Sequence, residues 1–497
     1  MHVSKQTLGG LAATGMVWAS IGTIAGKLAS LGAQLVLGWV LSTEDFALYA
    51  IAISWSTIIL ALRNAGTQRF LIQKGGSYDE FASICFKIAL LFNGIGFVLL
   101  ALAAPALSHL YESNSLNVII WIIALSLPLN TASLIFQAKL SSDMNFGKLT
   151  QINIWSALLR HGSMAVFALM GLGPISFVLP LILIAVLETV AGWYMVGAWP
   201  PNRRLTWRAM RGVLRDSRWV MLTSLAGILV LNGDYLAISL LQTKETLGIY
   251  YFGFQLSFSL AALFTNGVEA VMLPTFSRLE HDQERQKAAF FKAVRILMFG
   301  TTLACFALVL GAGPLVHGLW SEKWDRAIPV IQVLALSLPI KLVMPLCRSL
   351  MEGRGEWRFV ATMLLADGIG TVIAGAIGAS AGGLMTIAAV VSGYNLVFGA
   401  LFCGFVAQQI GGRLGDMLIP MLSTFAFGTV ALLATAGLAL IKPIGGPNIW
   451  QALGLILVYV VLYVGLVRMF LKDTVTEITS LVRRQVSGLG LAGRATQ

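Results

Sequence analysis

Apolar residues fall in long runs along this chain, and polar residues gather in the short gaps between them. Fourteen runs can be drawn: Leu11–Leu41, Phe46–Arg69, Ile84–Ala104, Leu116–Ala138, Gln151–Gly171, Ile175–Trp199, Trp219–Leu241, Leu247–Pro274, Val294–His317, Ile328–Met351, Phe359–Ser380, Leu384–Ala407, Met417–Ile441 and Ile449–Leu471. Each reaches about 20 residues, enough for a helix to cross a hydrocarbon core of about 30 Å. Barrel strands are about 10 residues of alternating pattern, and these runs are longer and broken by Gly and Pro. The pattern predicts an all-α polytopic membrane protein of about 14 transmembrane helices. Composition agrees, with 57% hydrophobic and 11% charged residues against roughly 25% charged in a soluble domain.

The gaps orient the runs. Arg203–Arg218, Arg278–Arg295, Glu352–Arg358, the gaps holding Arg69 with Lys74 and Lys139 with Lys148, and the tail after Arg468 all fall on one side. The other side holds only Lys244, Lys323, Arg326 and Lys442. Basic loops stay in the cytoplasm, so both termini are expected there, and an even number of runs returns the chain to its starting side. The net charge of +12 reads as this topology signal, and no nucleic-acid partner is expected. Arg203, Arg204, Arg208, Arg211, Arg215 and Arg218 form the densest basic run. Their spacing of three and four suits one side of an interfacial helix attracted to anionic headgroups, or they serve topology alone. The first run is too long, and lacks the cleavage pattern, for a removed signal peptide. Cys85, Cys305, Cys347 and Cys403 have no metal-ligand spacing and read as packing residues.

Two stretches recur. Ala124-Leu-Ser-Leu-Pro128 in the fourth run matches Ala335-Leu-Ser-Leu-Pro339 in the tenth, 211 positions later. Ser42–Tyr49 before the second run matches Thr243–Tyr250 before the eighth, with Glu44 on Glu245, Ala47 on Gly248 and Tyr49 on Tyr250. Phe146 matches Trp357 before runs five and eleven. Six runs therefore repeat as six in parallel around a central cleft, followed by two more, the plan of an alternating-access carrier. The expected divisions are an N-terminal lobe over 1–200, a basic linker over 201–218, a second lobe over 219–408, and two extra helices with a tail over 409–497. Gly22-Thr-Ile-Ala-Gly26-Lys27 lacks the spacing of a phosphate loop, and Gly22 and Gly26 read as a small-residue helix-packing pair.

Ionisable residues within spans are costly, about 2.5–3.5 kcal/mol at mid-span, and are functional candidates for that reason. The cations are Lys27, Arg63, Arg160 and Lys341, with His161 beside Arg160 and Arg348 near a cytoplasmic end; the anions are Glu188, Asp234, Glu269 and Asp367. They face each other or a wet cavity. Arg63 could instead snorkel, His161 could be a satisfied buried histidine, and the carboxylates could neutralise the cations in structural pairs. Asn64, Asn130, Asn232 and Asn266 line the cleft or bond across helices. Pro128 and Pro339 are expected to kink runs four and ten at matching places, and the residue two positions on is Asn130 in one copy and Lys341 in the other. A cationic cleft implies an anionic substrate, with Lys27, Arg63, Arg160 and Lys341 as its contacts.

"LSTEDFALYAIAIS" from Leu41, "NAGTQRFLIQK" from Asn64 and "FGKLTQINIWSALL" from Phe146 resemble Wzx-type oligosaccharide flippases. These form the polysaccharide transporter family of the multidrug/oligosaccharidyl-lipid/polysaccharide exporter superfamily. The resemblance covers the whole chain and is strongest to exopolysaccharide and lipopolysaccharide exporters of the succinoglycan or colanic acid type. Family members often carry Pro where Thr43 stands and an acidic residue near Asn64. The resemblance implies that an undecaprenyl-diphosphate-type lipid-linked oligosaccharide is carried from the cytoplasmic to the periplasmic leaflet of a bacterial inner membrane. It implies coupling to an ion gradient, for which Glu188, Asp234, Glu269 and Asp367 are the available carboxylates. Membrane lipids, a polysaccharide polymerase and chain-length machinery are the implied partners, and no cofactor or metal is implied.

Two rivals are set aside on sequence grounds. A multidrug exporter of the same superfamily usually stops at twelve spans and lines its cavity with acidic and aromatic residues. An enzyme acting on the same lipid would need a sizeable outer loop or a metal-holding domain, and the longest outer gaps are Ala104–Asn117 and Gly318–Ala327. No enzymatic activity is expected.

Overall fold

The computed structural model describes residues 22, 25–60, 66–74, 78–143, 145–199, 204, 206–279, 282–441 and 449–471. Every regular element among them is a helix. The order is α1 (25–40), α2 (Thr43–Leu60), α3 (Thr67–Lys74), α4 (Tyr78–Leu110), α5 (Asn114–Ser142), α6 (Phe146–Leu169), α7 (Leu179–Val196), α8 (Trp207–Leu241), α9 (Lys244–Arg278), α10 (Gln283–Trp320), α11 (Ile328–Lys341), α12 (Met344–Gly353), α13 (Trp357–Ala381), α14 (Leu384–Gln409), α15 (Leu414–Ile441) and α16 (Ile449–Phe470). Short 3-10 turns at Gly173–Phe177 and Ser321–Ala327 precede α7 and α11.

Over their described residues the fourteen expected runs are mostly helical, twelve of them built on one long helix each, while the second takes in α2 and the start of α3 and the tenth takes in α11 and α12. Among the described residues ten stretches are by themselves long and apolar enough to cross a membrane. One of these, Gln283–Gly353, folds back between α10 and α11, where the Gln332 side-chain amide donates to the Val309 carbonyl at 3.1 Å. Outside the ten lie α1, α9 and α6, and in α6 Lys148, Gln151, Asn153, Arg160 and His161 dilute the apolar character. Of the second run, α2 covers the residues up to Leu60, and 61–65 lie outside the described residues. Arg63 lies outside the described residues.

The chain forms two compact units, 1–251 with 361–383 and 252–360 with 384–497. In the first, α3, α4, α5 and α8 share a core of Phe70, Leu71, Tyr78, Cys85, Ile135 and Val213. Polar groups bonded across helices hold the α4–α5 pair in register. The Tyr78 hydroxyl donates to the Ile135 carbonyl at 3.0 Å, and the buried Asn93 amide donates to Thr131 Oγ1 at 3.0 Å. In the second unit, α15 and α16 pack on α10. Tyr459 and Tyr463, one turn apart on α16, donate to the Thr302 and Phe299 carbonyls, each at 3.2 Å.

The two longer recurring stretches are helix starts. Ser42 and Asp45 form a capping box for α2: the Ser42 hydroxyl oxygen accepts from the Asp45 N–H at 3.1 Å, and the Asp45 carboxylate accepts from the Ser42 N–H at 2.8 Å. In the second copy, Thr243 Oγ1 accepts from the Thr246 N–H at 3.2 Å at the start of α9. The two starts meet. A Cβ on Gly248 would run into the Thr43 carbonyl, so only glycine lets α9 approach there. Lys244 and Glu44 lie 3.7 Å apart beside this contact.

Two expectations require correction. The tenth run is not one kinked helix: α11 ends at Lys341 and α12 restarts at Met344, whereas α5 is continuous through Pro128. The reason is a second proline, Pro345, six positions past Pro339 and absent from the first copy. Pro345 has no N–H for the Lys341 carbonyl, so the ladder is interrupted twice within two turns. Nor do the arginines form a separate surface helix. Arg208–Arg218 are the opening turns of α8, which Thr206 caps and which continues without interruption to Leu241.

Candidate functional site

Lys341 closes α11 at the break and is only 7% exposed. Its Nζ donates to Asn395 Oδ1 of α14 at 2.9 Å. One turn further along α14, Gly399 brings the two backbones together, since a Cβ there would meet Ile340 at 3.0 Å. Asn395 is itself 3% exposed. A buried ammonium thus rests on a neutral amide, and among the described residues no carboxylate pairs with it. The sequence reading did not single out Asn395, although a lone amide in the apolar stretch Tyr394–Phe398 was a usable signal.

The first copy builds the same bridge with other chemistry. Asn130, two positions past Pro128, donates from Nδ2 to Glu188 Oε2 of α7 at 3.4 Å, and Gln137 Nε2 donates to the same oxygen at 3.1 Å. In each copy the residue two places after the proline reaches from the fourth helical run to the sixth. In one the pair is amide and carboxylate; in the other it is ammonium and amide. The formal charge of the bridge is therefore negative in the first copy and positive in the second.

Lys27 and Arg160 come together through helix packing. An added Cβ on Gly22 would lie 3.0 Å from Ile154, and one on Gly26 would lie 3.2 Å from Ala157, so α1 and α6 touch along the small-residue pair. This sets Lys27 and Arg160 within electrostatic range of His161. Arg160 is exposed on α6 and also within range of Tyr251, which hydrogen-bonds to Tyr49. Among the described residues neither Lys27 nor Arg160 is paired with a carboxylate.

The carboxylates Asp234 and Asp367 sit on α8 and α13, each 2% exposed. These helices meet at backbone distance: a Cβ on Gly375 would be 2.9 Å from the Asp234 Cα, and one on Gly368 3.1 Å from the Ala226 carbonyl. Asp234 Oδ2 accepts from the Tyr250 hydroxyl at 2.8 Å. Tyr250, another partner that sequence reasoning missed, is the recurring tyrosine of the second marker. The backbone of Glu269 is helical, and its side chain lies outside the described residues. Arg348 is 3.7 Å from Glu352 one turn on, a local pair near the end of α12.

Long apolar helices with buried charges define a multi-pass membrane protein. The solved structure of the lipid II flippase MurJ in an inward closed conformation has this fold, with a TM-score of 0.72 and 14% identity, covering 92% of this chain and 100% of that one. Residues 36–329 match the family described as polysaccharide biosynthesis protein, and the chain belongs to that family. It is 22% identical over 438 residues to the teichuronic acid biosynthesis protein TuaB of Bacillus subtilis (strain 168), covering 86% of this chain and 89% of the relative. It is 23% identical over 351 residues to the succinoglycan biosynthesis transport protein ExoT of Rhizobium meliloti (strain 1021), covering 70% and 71%. The resemblance drawn from Leu41, Asn64 and Phe146 onward is thus to the right family.

Proposed function

We propose that the protein moves a polyprenyl-diphosphate-linked oligosaccharide from the cytoplasmic to the outer leaflet of the inner membrane, for exopolysaccharide or lipopolysaccharide assembly. The observation that carries this reading is Lys341, a buried cation with an amide for a neighbour. An isolated ammonium in a membrane interior is unfavourable by several kcal/mol unless an anion joins it. A diphosphate supplies that anion. Lys27 and Arg160 are further contacts, and Arg63 completes the proposed set. The two six-helix repeats alternate access to the cleft, and Asp234, Asp367, Glu188 and Glu269 take up and release the coupling ion. The names of TuaB and ExoT place those relatives in polysaccharide biosynthesis, and ExoT in transport, which favours transport over catalysis here.

The test is deletion of the gene in its own host, followed by measurement of lipid-linked oligosaccharide on each leaflet and of secreted polymer. The reading expects the intermediate to accumulate on the cytoplasmic leaflet while polymer is lost. Unchanged intermediates with altered drug tolerance would overturn it in favour of a multidrug exporter.

A further inference from the structure

Glu188 lies midway along α7, inside a stretch apolar enough to cross a membrane. Its bonded neighbours are two amides, Asn130 Nδ2 at 3.4 Å and Gln137 Nε2 at 3.1 Å, both on the same carboxylate oxygen. Among the described residues no lysine, arginine or histidine pairs with it. A carboxylate in a span is costly until a cation or a proton joins it. The amides are well placed to share such a guest. Asn130 and Gln137 stand seven positions apart on α5, which at 100° per residue puts them within about 20° of one face. They close on Glu188 from either side. The two helices are held together at this level, since the Thr189 hydroxyl donates to the Leu129 carbonyl at 3.3 Å, and a Cβ on Gly192 would lie 2.7 Å from Phe136.

The donor set decides between guests. An amide carries its oxygen and its nitrogen on one carbon, so half a turn of the side chain exchanges a donor for an acceptor. With both amides turned, three oxygens meet at one place, and oxygen is the ligand of hard cations. One of the three is charged, so a monovalent cation makes the site neutral and a divalent one leaves it charged. A proton needs one oxygen and gives the two amides no role. Access fits exchange, because Glu188, Asn130 and Gln137 are half-buried, whereas Asp234 and Asp367 are each 2% exposed. The positions 211 further along from Asn130 and Gln137 carry Lys341 and Arg348, so the second stretch places cations where the first places amides.

We infer that Glu188, Asn130 and Gln137 form a binding site for a monovalent alkali cation between α5 and α7. The ion's part in coupling rests on the transport reading, and its binding does not. The test is thermal unfolding of the full chain in detergent with sodium, potassium or choline chloride at equal ionic strength. Sodium or potassium raises the midpoint in a saturable way, and choline does not. E188Q removes that gain, while its midpoint in choline stays at or above the wild-type value, because a charge has left the span. N130A keeps the carboxylate and raises the half-saturating cation concentration roughly tenfold; it decides the matter if E188Q fails to fold. Equal midpoints in the three salts overturn the inference. So does a gain that E188Q retains, which assigns the cation to another carboxylate. So does a gain produced by acid in choline and by neither alkali cation, which makes Glu188 a proton site. Binding is read without transport, so a chain that binds the cation but moves no lipid-linked oligosaccharide keeps the site and loses the transport reading.

Discussion

Replacing Lys341 by glutamine should raise stability or leave it unchanged while impairing transport, and the opposed signs make the test decisive. Lys341 is 7% exposed and bonded to Asn395 at 2.9 Å. Removing a mid-membrane charge relieves about 2.5–3.5 kcal/mol on insertion scales. Against this stands the loss of a charged hydrogen bond worth about 1.5–3 kcal/mol, part of which a glutamine–asparagine pair retains. The net change in stability is a gain of about 0–2 kcal/mol. For transport, loss of one charge-assisted contact to a diphosphate costs about 2–3 kcal/mol, or roughly 30- to 160-fold in rate. The assay is movement of a fluorescent lipid-linked oligosaccharide in proteoliposomes, scaled to folded protein, beside thermal unfolding in detergent. A K341Q protein that unfolds earlier yet transports at the wild-type rate per folded molecule would refute the argument and make Lys341 a structural residue.

Three further outcomes follow from packing. Gly248→Ala places a Cβ against the Thr43 carbonyl, and the backbone shift should cost about 1–3 kcal/mol, read as a lowered thermal midpoint. Pro345→Ala returns an N–H to the Lys341 carbonyl; hydrogen exchange over 341–346 should slow, and transport should fall if the break between α11 and α12 serves as a hinge. Tyr463→Phe removes the bond to the Phe299 carbonyl and should cost about 0.5–1 kcal/mol, with α16 more open to proteolysis while α4 and α5 are unaffected.

The helices were legible because a membrane span is an average over about 20 residues. One polar residue barely moves that average, so even α6 with Arg160 and His161 was found from its pattern. Breaks depend on one or two residues and were harder. Pro339 was read as a kink alone, and the missing factor was Pro345, whose effect appears only when both lost N–H groups are counted along one helix. The arginine run was read as periodic, correctly, but periodicity does not say whether a helix joins its neighbour; no proline interrupts Arg208–Leu241, and the helix simply continues. Candidate charges were legible as polar letters in apolar runs. Their partners were not, because Asn395 lies 54 positions from Lys341 and Glu188 lies 58 from Asn130. Only packing joins such pairs.

Those two pairs show how differently two matching stretches of sequence are used. In each stretch the residue two places past the proline is polar, and the helix two runs on supplies the acceptor. Neither bridge depends on the identity of its ends, provided a donor meets an acceptor. Asn130 can meet a carboxylate and Lys341 can meet an amide with the same hydrogen-bond count. Charge is then free to differ. In a low-dielectric interior a change of sign is felt far beyond the bond that hosts it, whereas a change between neutral partners is felt only locally. Opposite charge at matching places therefore makes the two stretches electrically distinct. Two positions past Pro339 stands Lys341, bonded to the neutral Asn395 amide, which is why the proposed function gives this lysine an anionic partner.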